Sequence, residues 1–211
     1  MRMVTAVRTG MLALLVASPA VAQERDAGAT ARAFIDALNA SQWDAAAGMV
    51  LPATAECHRR QELARFVALA EHRARGERFV NLGTLPDSAD PARLAALAST
   101  RLFRFHGAQT LGDAARLSAR AFMASTLEKE FAMPPGAEEN VEWMWPRFVG
   151  VTVENDSVAH ALYRHTGARE RPTDPVVVLP LRRVTGRWYV DPGWMTVGGA
   201  LIALDDMPGA R

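Results

Sequence analysis

The side chains best suited to move a proton in this sequence are His160, Tyr163 and His165, which lie within six residues of one another. Imidazole titrates near neutral pH and a phenol can donate to a developing oxyanion, so such groups could run acid–base chemistry in a pocket that excludes water. Asp36 and Asp44, near the front of the chain, are the carboxylates that could join them. Residues 157–165 alternate as a strand, however, and alternation sets His160 on the opposite face from Tyr163 and His165. All three cannot serve one pocket.

Other chemistry has less support. His58 and Glu62 are four apart on a helical pattern and share a side, yet no second pair with ligand spacing accompanies them. A contact along the helix surface is expected there, and no metal. There is no G-x-S-x-G, no phosphate-binding glycine loop and no H-E-x-x-H, and no cofactor is expected. In EENVEWMWPRF, residues 138–148, extended backbone would put Trp143 and Trp145 on one face. With Trp188 and Tyr163 they are candidate walls of a ligand pocket; the alternative is ordinary core over a sheet edge.

The elements that must position these residues fall into two halves. Helical spacing predicts a first pair of helices within 29–50, with Ala31, Phe34, Ile35 and Leu38 as the apolar stripe and Pro52 as the stop. A third is predicted over 56–75, with Leu63, Phe66, Val67, Ala70 and Ala74 inward and Arg60, Arg65, His72 and Arg75 outward. A short strand over 79–82, a short helix over 91–98 and one longer helix over 111–131 follow. The period then changes to two. Residues 147–154 carry Val149, Val151 and Val153 on one face, Asn155-Asp156 makes a turn, and 157–165 returns. The apolar tail 197–204 is predicted to pack as a terminal helix.

VVVLPLRRVTGRWYVD, residues 176–191, reads as a hairpin turning at Thr185-Gly186. That register gathers Val177, Leu179, Leu181, Trp188 and Val190 on one face, with Arg183 at its rim. Arg182, Arg187, Tyr189 and Asp191 fall on the other, expected to meet solvent or a partner. Pro180 cannot donate a ladder hydrogen bond, which predicts an edge strand or a bulge there. Helices first and an antiparallel meander last predict an α+β fold, with N-terminal helices packed on a curved antiparallel sheet formed mainly by the C-terminal third.

The first residues, MRMVTAVRTGMLALLVASPAVAQ, have two arginines, a short apolar run and an Ala-Val-Ala site. This is the pattern of a cleaved signal peptide, so residues 1–22 are expected to be removed and 23–211 to form a single exported α+β domain with a helix-rich middle, 56–131. Loss of Arg2 and Arg8 turns the formal charge of +1 into −1, which draws the chain neither to nucleic acid nor to an anionic membrane. Cys57 is the only cysteine, which rules out an internal disulfide.

ATARAFIDALNASQWDAAAGMV at the front, with VTVENDSVAHALYRH and the hairpin at the end, resembles the nuclear transport factor two-like superfamily. The resemblance implies helices laid across a strongly curved sheet, with a turn glycine and a tryptophan in the last strands, here Gly186 and Trp188. It covers about 80 residues at the two ends, and the helical middle departs from it. The superfamily includes dehydratases, isomerases, polyketide cyclases and non-catalytic binding modules, so the fold alone selects no function. The catalytic Asp and Tyr set of its isomerases cannot be placed on this sequence position by position. The leading expectation is therefore a soluble, non-catalytic protein in the periplasm or outside the cell, binding a small apolar ligand or a protein partner, a second copy included. The alternative is a cofactor-free lyase or isomerase with an acid–base residue in an apolar cone.

Overall fold

The computed structural model describes residues 19–77, 79–80, 86–102, 105, 107–132, 145–166, 176–192 and 202–203. Among the described residues, six helices occupy the front of the chain: α1 (Pro19–Asn39), α2 (Trp43–Ala47), α3 (Pro52–Ala74), α4 (Pro91–Ala96), α5 (Leu111–Arg116) and α6 (Ala119–Phe131). Strand β1 (Phe79–Val80) falls between α3 and α4, while β2 (Trp145–Asn155), β3 (Val158–Thr166), β4 (Val176–Val184), β5 (Arg187–Val190) and β6 (Ile202–Ala203) follow the helices. The fold is α+β, with a four-stranded antiparallel sheet in the order β2-β3-β4-β5 that does not close on itself.

Local chemistry sets the helix ends. Pro52, which reads from the sequence as a stop, is instead the first residue of α3, where the missing N–H is one that a first helical turn leaves unpaired anyway. The predicted helix over 111–131 is two helices. Leu117 leaves the helical region at ψ 142°, and the Ser118 hydroxyl accepts from the Ala121 N–H at 3.2 Å to start α6 afresh. The apolar spacing runs straight across this break and so hides it. Before α5, Thr110 and Asp113 form a reciprocal capping box. The front end differs too, since α1 begins at Pro19, ten residues before the predicted start.

In the sheet, the hairpin register is the expected one: Leu181 faces Val190, Arg182 faces Tyr189, Arg183 faces Trp188 and Val184 faces Arg187. Thr185 and Gly186 both have positive φ, 48° and 82°, which gives the turn a twist that matches the strands it joins. Pro180 is neither on an edge strand nor at a bulge, because β4 lies between β3 and β5. Its tolerance has another cause. β5 ends at Val190, and the Pro180 carbonyl accepts from the Asp191 N–H at 2.8 Å, so the missing donor falls where that ladder has already stopped.

Two further expectations change in the strands. A register shift between Phe148 and Gly150 takes Val149 out of the alternation, so Phe148, Val151 and Val153 pack against the core while Val149 is exposed. The tail residues Ile202–Ala203 pair antiparallel with Phe79–Val80 rather than forming a helix. A short apolar run is ambiguous between the two, and a partner strand decides it.

Helices cover one face of the sheet. Ala27, Ala31, Phe34, Ile35 and Leu38 of α1 pack on Ala159, Ala161, Tyr163, Leu179, Leu181, Trp188 and Val190, with Met123 and Leu127 of α6 closing the same cluster. Each large side chain taken out of water here is worth about 1.5–3 kcal/mol. α1 lies so close to β2 that a Cβ on Gly28 would come 3.2 Å from the Val151 side chain. A second cluster joins Leu63, Phe66 and Val67 of α3 to Phe105, Leu111, Ala114 and Phe122, with the Phe105 and Phe122 rings 4.8 Å apart. On α3, Ala74 is exposed whereas His58 and Glu62 are buried. Leu63, Phe66, Val67 and Ala70 are buried as predicted, and the buried face extends to His58 and Glu62 because α6 packs on α3 there.

Candidate functional site

Among the described residues, helices cover one face of the four-stranded sheet and nothing packs on the other, the uncovered face, and this division sorts the candidate residues. Tyr163 and Trp188 are on the covered face, 8 % and 3 % exposed, packed inside the main cluster. Burial pushes the Tyr163 hydroxyl above its ordinary pKa of 10. Trp188 Nε1 has no hydrogen-bond partner among the described residues. His160 is on the uncovered face, where its Nε2 meets the Glu154 carboxylate at 2.8 Å. Asp36 and Asp44 are exposed on the helices. The expected separation of His160 from Tyr163 is thus observed. Trp143, with the side chains of Trp145 and His165, lies outside the described residues.

His58 and Glu62, expected on a helix surface, belong instead to a buried polar cluster between α3 and α6. The Thr126 hydroxyl donates to the Phe122 carbonyl at 3.1 Å, which leaves its oxygen to accept from His58 Nε2 at 3.2 Å. Glu62 is held by Arg65 through three contacts of 2.9, 2.9 and 2.5 Å, a two-pronged ion pair that turns Arg65 inward. Desolvation, with the neighbouring Arg65 cation adding to it, lowers the Lys129 ammonium below its ordinary pKa. Among the described residues no group of three or more His, Cys, Asp or Glu gathers as a metal site.

The uncovered face is built from alternate residues of the same strands. Along β4 it presents Val176, Val178, Pro180, Arg182 and Val184; cross-strand pairing sets Arg164, Leu162, His160 and Val158 beside the first four, and Arg187 and Tyr189 beside Val184 and Arg182. Val149, Val176, Val178 and Val184 are 44–50 % exposed. The Arg187 guanidinium lies 5.0 Å over the Tyr189 ring, and Arg182 is 3.6 Å from Asp191, whose other oxygen accepts from the Thr54 hydroxyl at 2.6 Å. The β5 edge of the sheet is occupied: Val190 donates to the Met49 carbonyl and accepts from the Leu51 N–H, each at 2.8 Å. The expected partner-facing residues Arg182, Arg187 and Tyr189 therefore share one face with an apolar row that was not foreseen. The bulge at Val149, for which the neighbouring Gly150 is the local signal, adds to that row.

One feature escaped sequence reasoning altogether. A cleft of about 550 Å³ opens between the α1–α2 turn and α6, lined by Ser41, Gln42, Trp43 and Asp44 on one side and by Ala121, Ser125 and Glu128 on the other. Its wall at Leu117 exists only because the chain breaks between α5 and α6. No protein-family model, no curated protein and no solved structure matches this chain.

Proposed function

We propose that this is an exported, non-catalytic binding protein that docks another protein on the uncovered sheet face. The observation that carries the reading is the combination there of four valines 44–50 % exposed with Arg182, Arg187 and Tyr189. An apolar centre with arginine and tyrosine beside it is the composition in which interface energy concentrates. His160 and Tyr163 lie on opposite faces, one against a surface glutamate and one within packed core, which favours binding over acid–base chemistry. The resemblance to the nuclear transport factor two-like superfamily, which includes non-catalytic modules, agrees with this reading.

The partner's character follows from area and charge. Strands about 4.8 Å apart, of 11, 9, 9 and 4 residues, offer on the order of 500 Å². That is the low end of a specific interface and well short of an obligate dimer. Arg147, Arg164, Arg182 and Arg187 are on this face, with Glu154 against His160 and Asp191 3.6 Å from Arg182, so among the described residues basic groups outnumber acidic ones there and an acidic partner is favoured over a second copy. The fitting partner has an apolar centre and an acidic rim, and binds transiently.

The test places a photo-crosslinking residue at Val178, and at the exposed Arg60 of α3 as a control, in the native host. A partner captured at 178 is identified by mass spectrometry and titrated against the purified chain. Reversing the charge of Arg182 and Arg187 together is expected to weaken that binding at least about tenfold, with strong salt dependence in the wild type. Capture only at position 60, capture of a second copy at 178, or an affinity indifferent to both arginines overturns the reading.

A further inference from the structure

We infer that Gln23 is a modification site: once residues 1–22 are removed, its amino group closes on its own side-chain amide to leave a pyroglutamyl start, and Asp156 restrains that closure. The inference rests on the export reading, because only a cut after Ala22 turns the Gln23 nitrogen from a peptide into an amine. α1 runs through the cut, from Pro19 to Asn39. In the uncut helix the Gln23 N–H points along the axis to the carbonyl four residues back, that of Pro19. Removing residues 19–22 takes away the acceptors of residues 23–26, so the new first nitrogen has no helical bond to hold it. Nor does packing hold it. The first residue of α1 seen to be buried is Ala27, whereas Gln23 is half-buried and Glu24, Arg25 and Asp26 are exposed. The new start can therefore change shape without disturbing the core.

In a glutamine this freedom has a chemical outcome. An α-amino group loses its proton at about pH 7.7–8.0, so a neutral fraction is present at neutral pH. Its lone pair reaches the Cδ carbon of the same residue through a five-membered ring, an intramolecular attack that proximity favours. The N–Cδ bond forms, the Cδ–Nε2 bond breaks, and Nε2 leaves as ammonia with one proton taken from the amine. No oxidant or co-reactant is needed. The positive charge of the chain start is lost, which is favourable where a helix already presents partial positive charge. A lactam start also offers exopeptidases no free amine ahead of the exposed residues 24–26. Nε2, the leaving nitrogen, donates to Asp156 Oδ1 at 3.2 Å. That bond ties the open amide to the β2–β3 turn, and closure must give it up.

Closure is tested first on the chain recovered from its host, whose N-terminal peptide is read by tandem mass spectrometry. The expected start is residue 23, lighter by one ammonia and unreactive to an amine label, while Gln23→Ala keeps a full-mass start that takes the label. The restraint is tested by cutting the purified full-length chain with signal peptidase and following the loss of ammonia with time. Asp156 is exposed on its turn, so Asp156→Ala keeps the fold. Its closure is expected to run about threefold faster than that of the wild type. A host chain that starts at Gln23 and retains both its ammonia and its amine overturns the inference and leaves the export reading standing. A host chain that still carries residues 1–22 overturns the export reading, and this inference with it. Equal rates with and without the Asp156 carboxylate overturn the restraint.

Discussion

Glu62 shows how much a single residue's meaning depends on what lands on it. From the sequence it is half of an i, i+4 pair with His58 on one side of a helix, and that geometry is correct. The structure adds that α6 covers this side, so Glu62 is buried and bound by Arg65. Removing one partner of a buried pair leaves the other charge uncompensated, which costs more than the pair itself contributes. Glu62→Gln is therefore expected to lose about 3 kcal/mol, read as a lower urea midpoint at unchanged slope. Adding Arg65→Met should recover part of the loss; an unchanged midpoint in Glu62→Gln would show that the pair is solvated. Alternation placed Trp188 on the apolar face and set Tyr163 opposite His160, but whether the two line a space or fill one is a packing question that spacing does not address.

Between elements, α4 is tied to α3 by the ion pair of Arg93 with Glu71. The hydrogen bonds from Arg93 hold the Glu71 carboxyl below its ordinary pKa of 4.5. A carboxylate depressed in the folded state contributes stability above its unfolded pKa and loses it as pH falls through the folded value. The attachment of α4 should therefore loosen below about pH 4.5. An Arg93 Nε–H resonance protected at pH 6 should disappear through that range, and Glu71→Gln should lack the protection already at pH 6. A signal that persists to pH 3 would contradict the tie. The elements themselves were largely legible: the hairpin and the α1 stripe follow directly from period and turn chemistry. The α5–α6 break was not, because a capping serine and a continuing apolar stripe give opposite signals at the same place.

At the scale of the whole molecule, the expected export has a structural consequence. The residues of α1 seen to be buried run from Ala27 to Leu38, all beyond the expected cut after Ala22. The Gln23 side chain donates to Asp156 at 3.2 Å, which would hold a new helix start against the β2–β3 turn. We expect intact-mass analysis of the chain from its host to begin at Gln23 and its main core to survive the cut. A mass that includes residues 1–22 would refute the export reading. No helix among the described residues is long and apolar enough to cross a membrane.

By itself the sequence determined the α+β order, the hairpin register and the two faces of the sheet, because these follow from local spacing and from the left-handed backbone that Gly186 allows. Only the tertiary structure decided which polar residues are buried, that Val149 joins the outer apolar row, that the tail pairs with β1, and that a cleft opens beside Trp43. Those features depend on which surfaces meet across long stretches of chain. Local residue preferences are indifferent to that until the elements pack.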